Sequence, residues 1–142
     1  MDLLLILRDA LASSVIGGLS LALEAAKAGQ QVGVLFTEEA LAAIARGTFQ
    51  WPRELAGQEM RLLMADRGAE MGLPLLARGE GRQLDAKGML SKAQEAGVVL
   101  YACPIWTSLL GLTGDLPHGL QRVEAGALPA LIRSAKRVIG TL

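Results

Sequence analysis

The chain has one cysteine and one histidine among 142 residues, and that scarcity removes whole classes of chemistry. A single thiol forms no internal disulfide and no CxxC redox pair, and it supports no multi-cysteine zinc site. No metal and no cofactor are expected. Aromatic residues make up 4% of the chain, which leaves few platforms for stacking bases. Neither sign of charge is in excess, since 14 Lys+Arg balance 14 Asp+Glu. A nucleic-acid partner, which a basic face would announce, is therefore not expected. A charge-free apolar run of the roughly 18 residues that span a membrane is missing too, because Glu24 and Lys27 interrupt the best candidate. Met1–Leu7 lacks a basic region and is too short for a signal peptide, so a cytoplasmic protein is expected. There is no GxxxxGK[ST], GxGxxG or GxSxG, hence no phosphate loop, dinucleotide fingerprint or serine-hydrolase elbow.

What the chain does have is apolar residues. Hydrophobic content is 51% and mean hydropathy +0.37. With no span to absorb them, these residues are expected in a core and in subunit contacts, which predicts a homo-oligomer. The length suits one domain over 1–142, with a core that needs no disulfide or metal.

Three helical segments end in glycine and run directly into apolar strands: before Val32–Phe36, before Leu73–Ala77 and before Val98–Ala102. With Leu3–Leu7 and Leu120–Val123 this gives about five strands alternating with helices. That alternation is the mark of an α/β fold, a parallel sheet with helices on both faces. Residues 137–142 can add a short sixth strand. Pro74 inside the third strand predicts that this strand is an edge. Ser13 or Ser14 is expected to cap the first helix, and Gly17 with Gly18 to let it approach the sheet closely. Met60, Leu63, Met64 and Met71 form an apolar stripe that reads as core. The segment 47–57, with Phe49 and Trp51, reads as a lid or a subunit contact.

The lone thiol stands where such a fold does chemistry. Cys103 ends the run Val98–Ala102 and precedes Pro104, which suits the first turn of a short helix. Ligands of parallel sheets bind beyond the carboxyl ends of the strands. A helix amino end also favours thiolate, the reactive form. The plain alternative is a small core residue, and position raises the functional reading to an even match. His118, in the turn Leu116–Gly119, falls before the next parallel strand, at the edge opposite Cys103, and reads as a surface turn. Arg8, Ser13 and Ser14 follow the first strand and read either as a capped turn or as a small-anion site.

Residues Leu100–Leu112, Leu-Tyr-Ala-Cys-Pro-Ile-Trp-Thr-Ser-Leu-Leu-Gly-Leu, resemble the cysteine motif of the DsrE/DsrF-like family, in particular its branch labelled peroxiredoxin-like. Val34–Thr37 resembles the family's second strand, and Val123–Leu128 with the following helix and Val138-Ile139 its last βαβ unit. The resemblance implies a three-layer α/β/α fold of flavodoxin/Rossmann-like type with strand order 3-2-1-4-5. It implies a homotrimer or homohexamer, sulfur handling through a persulfide on Cys103, and a sulfur donor or acceptor protein as partner. In that order the turn at Arg8–Ser14 lies beside Cys103. Pro104 and Trp106 depart from the helix that follows the cysteine in sulfur-relay members.

Three functions compete on these readings. The first is a persulfide carrier or sulfurtransferase-like subunit with Cys103 as the sulfur acceptor. Arg8, Ser13, Ser14, Thr37, Trp106 and Thr107 are then its anion- or ligand-binding neighbours. The second is an oligomeric small-ligand-binding or scaffold module with a structural cysteine. A thiol peroxidase ranks last, because Leu100-Tyr101-Ala102 does not supply the TxxC context.

Overall fold

The structure of the protein, a computed structural model, describes residues 1–76 and 84–140. Its centre is a sheet of five parallel strands: β1 (Leu3–Leu7), β2 (Val32–Phe36), β3 (Val99–Ala102), β4 (Gln121–Arg122) and β5 (Arg137–Ile139). Helices α1 (Ala12–Lys27), α2 (Glu38–Arg46), α3 (Gln58–Glu70), α4 (Ala86–Glu95), α5 (Pro104–Leu109) and α6 (Leu128–Ser134) connect them. The result is the expected three-layer α/β/α arrangement.

Strand order corrects the expectation. The sheet runs β4-β3-β2-β1-β5. The strand expected over Leu73–Ala77 does not join it; Ala77 lies outside the described residues, and Leu76 makes only an isolated antiparallel bridge to Leu84. Two physical causes act together. Pro74 has no N–H to give to a ladder, and the edge of β2 that such a strand would need is filled by β3, with Val34 opposite Leu100 and Phe36 opposite Ala102. The run serves as a plug instead: Leu75 is buried and sits against Gly68 of α3. The short strand expected from residue 137 does form, and it takes the free edge of β1.

Alternation along the strands divides the core. Leu3, Leu5, Leu7, Val32, Val34, Phe36, Leu100 and Ala102 face one side, where Val15, Leu19 and Ala22 of α1 and Met89, Leu90 and Ala93 of α4 close over them. Gly18 lets α1 sit this close. A Cβ there would lie 2.6 Å from a Leu7 methyl, whereas at the exposed Gly17 it would meet nothing. The second side is smaller: Leu4, Leu35 and Cys103, with Ile6, Tyr101, Trp106 and residues Leu128 and Leu131 of α6. No residue of α6 is fully buried, so this face is thinly covered.

The methionine stripe is also corrected. Met60, Leu63 and Met71 are exposed, and Gly68 is the only buried residue of α3. This helix turns Met60 and Leu63 outward, while Leu62 and Met64 are half-buried. The 47–57 segment is no free lid. Gln50 pairs with the turn after β1, its carbonyl accepting from Ala12 N–H and its N–H donating to the Ala10 carbonyl, while Phe49 and Trp51 pack on the main core.

Candidate functional site

The register sets the geometry at the carboxyl edge. Leu7, Phe36 and Ala102 lie opposite one another, so the next residues, Arg8, Thr37 and Cys103, form a row across the strand ends. The ladder runs one step past the strands: Thr37 N–H donates to the Leu7 carbonyl at 3.0 Å, and Cys103 N–H to the Phe36 carbonyl at 3.0 Å. Because β2 separates β1 from β3, Arg8 is two strand spacings from Cys103, about 10 Å between their backbones. The observed order thus replaces the expected adjacency of the Arg8–Ser14 turn and Cys103.

Cys103 holds the N-cap position of α5, followed by Pro104 at N1. Its carbonyl accepts from both the N–H (2.9 Å) and the hydroxyl (2.7 Å) of Thr107. Thr107 is almost fully buried and spends its polar atoms on this carbonyl, so it orients the cysteine's backbone. The Cys103 residue is 3% exposed and its side chain lies in the apolar cluster of Leu4, Leu35, Trp106 and Tyr101. Trp106 is half-buried and packs on both cores, bridging the layer that covers the thiol.

Arg8 is held by a residue that the sequence reading missed. Its guanidinium donates to both carboxylate oxygens of Glu38, at 2.9 and 3.3 Å, and Glu38 raises the Arg8 pKa further above its ordinary value. Glu38 has a left-handed backbone (φ 52°), which is uncommon for a residue with a Cβ. Its sequence signal was masked, because an acid at the first position of a helix is an ordinary helix start. Ser13 and Ser14 do not cap α1. Leu11 holds the N-cap position without a side-chain bond, and both serines lie in the first turn. Asp9 does the fixing instead, accepting from Leu11 N–H (2.9 Å) and from the Ser14 hydroxyl (3.0 Å).

His118 remains in a turn ahead of β4, at the sheet's amino edge and away from the Arg8–Thr37–Cys103 row. Its carbonyl accepts from the Gln94 side chain at 2.8 Å. Among the described residues, no helix is long and apolar enough to cross a membrane.

No protein-family model matches the chain, and no curated protein matches it. Among solved structures, the chain is similar to the crystal structure of the YchN protein from E. coli, with a TM-score of 0.60 and 18% identity. The alignment covers 99% of this chain and 100% of that one. The two share a fold along their whole length.

Proposed function

We propose that the protein is a sulfur carrier in which Cys103 accepts a sulfane sulfur and holds it as a persulfide. The observation that carries this reading is the position of the chain's one thiol: it ends an inner strand of the sheet at the carboxyl edge, in the row with Arg8 and Thr37. The DsrE/DsrF-like resemblance of Leu100–Leu112 supports it, and the fold shared with YchN agrees with that resemblance at the level of architecture. In the step proposed, the Cys103 thiolate attacks the outer sulfur of a hydropersulfide, R–S–SH. The bond between its two sulfurs breaks, R–S⁻ leaves, and Cys103–S–SH forms with no net oxidation. The apolar surroundings of Leu4, Leu35 and Trp106 keep water and free thiols from the loaded sulfur. Trp106, half-buried beside the thiol, is the part of the wall that a donor has to displace. The sulfur donor or acceptor in this reading is a protein partner.

Self-association belongs to the same proposal. Ile105 and Leu109 stand one turn apart on α5 and are 60% and 68% exposed, and Leu63 on α3 is 48% exposed. Apolar side chains left outward in this way suit burial against further copies, here as a trimer or hexamer.

A second reading, a small-ligand-binding module with a structural cysteine, is favoured by one fact: Cys103 is 3% exposed. Intact mass after treatment with inorganic polysulfide separates the two. A carrier gains one sulfur mass per chain, loses it on reduction, and gains none as Cys103→Ser. If the wild type takes up no sulfur while its thiol still reacts with a neutral alkylating reagent, the binding-module reading stands.

A further inference from the structure

Beyond the cysteine, the carboxyl edge carries a groove of about 550 Å³ between the turn after β1 and helix α2. One wall is a single face of α2: Glu39, Ala42, Ala43 and Arg46 follow at i, i+3, i+4 and i+7. The opposite wall is Asp9 to Leu11, and Thr48 and Gln50 complete the lining. Two charges on the α2 wall are unspent. Neither the Glu39 nor the Arg46 side chain has a hydrogen bond or ion pair among the described residues, in contrast to Arg8 and Glu38 nearby. Asp9 is already committed to Leu11 N–H and the Ser14 hydroxyl.

Seven residues of helix separate the backbones of Glu39 and Arg46 by about 10 Å along the axis. Ala42 and Ala43 lie between the poles, and Leu11 stands across from them, so the middle of the groove is small and apolar. An anion alone would leave Glu39 facing it, and a cation alone would face Arg46.

We infer that this groove binds a short zwitterion, an amino acid with an ammonium at one end and a carboxylate at the other. The ammonium meets Glu39, the carboxylate meets Arg46 with the Thr48 hydroxyl at hand, and the methylenes lie over Ala42 and Ala43. The site is separate from the Cys103 cluster and does not depend on persulfide chemistry.

Calorimetric titration of the whole chain with β-alanine and 4-aminobutyrate tests it, with butyrate and butylamine as singly charged controls. The expected result is saturable binding of a zwitterion, at least about tenfold tighter than either control. That binding should weaken at least about tenfold in Arg46→Gln and in Glu39→Gln, both at exposed helix positions, with the circular dichroism of the fold unchanged. It should persist in Cys103→Ser. The inference is overturned if neither zwitterion binds the wild type at about 10 mM, if butyrate or butylamine binds as well, or if the two variants bind like wild type.

Discussion

At the scale of single residues, two adjacent glycines on one helix have opposite physical roles. Gly18 is buried against Leu7, a side chain that is itself 1% exposed. Gly17 points into open space. Alanine in a helix gains about 1 kcal/mol over glycine, whereas an extra methyl forced into a packed core costs about 1–3 kcal/mol. Gly17→Ala is therefore expected to stabilise the protein by up to about 1 kcal/mol, and Gly18→Ala to destabilise it by about the same amount. Urea midpoints of the two variants check this; a Gly18→Ala protein as stable as Gly17→Ala would refute the close approach. The sequence reading found this pair but could not divide it, because the division depends on which side of α1 meets the strand. The Arg8–Glu38 pair was beyond it for a related reason: residues 30 positions apart meet only once β1 and β2 align.

At the scale of elements, local pattern was a good guide wherever it also determined burial. The runs Leu3–Leu7, Val32–Phe36 and Val98–Ala102 were legible because near-continuous apolar sequence is what a strand covered on both faces requires. The run at Leu73 carried the same signal and became a plug, since competition for the edge of β2 is a property of the sheet and not of the segment. The α3 stripe failed likewise: periodicity marks an apolar face but does not say whether the rest of the chain covers it.

The edge strand β5 is secured by charge as well as by its ladder. Asp2 accepts from Lys136 Nζ at 2.7 Å and from Gln31 N–H at 2.8 Å, tying β5 and β2 to the start of β1. The Lys136 hydrogen bond is the main cause that holds the Asp2 carboxyl below its ordinary pKa, with the Gln31 bond next. A carboxylate whose folded pKa is depressed contributes stability above its unfolded pKa of about 3.9, and that contribution is lost as pH falls through the folded value. The stability lead of wild type over Asp2→Asn should thus be present at neutral pH and shrink in acid below about pH 4. Urea midpoints at both pH values measure it. A lead that does not depend on pH would show that the charge of Asp2 is not what matters.

At the scale of the whole molecule, the two faces of the sheet are unequal. The side under α1 and α4 is closed by a broad core, while the side bearing Cys103 has a small cluster under a helix with no fully buried residue. The exposed Ile105 and Leu109 belong to α5, which directly follows that cysteine. Light scattering of the wild type should give a mass above that of one chain, and Ile105→Glu with Leu109→Glu should lower it while the circular dichroism stays unchanged. A monomeric wild type at micromolar concentration would remove the self-association proposal. Composition pointed to this excess of apolar surface, but the surfaces that carry it became visible only with the fold.

The placement of β5 has a consequence for the order in which the chain is made. Strand β1 is made before the other elements of the sheet, and its partner on one side is complete only when residue 139 has been added, since Leu3 pairs with Arg137 and Leu5 with Ile139. Closing so long a loop is slow compared with local helix formation. Until then the nascent chain presents Leu3–Leu7 as an open apolar edge, the kind that recruits strands from neighbouring chains. That exposure ends only when residues 137–139 have emerged and docked on β1.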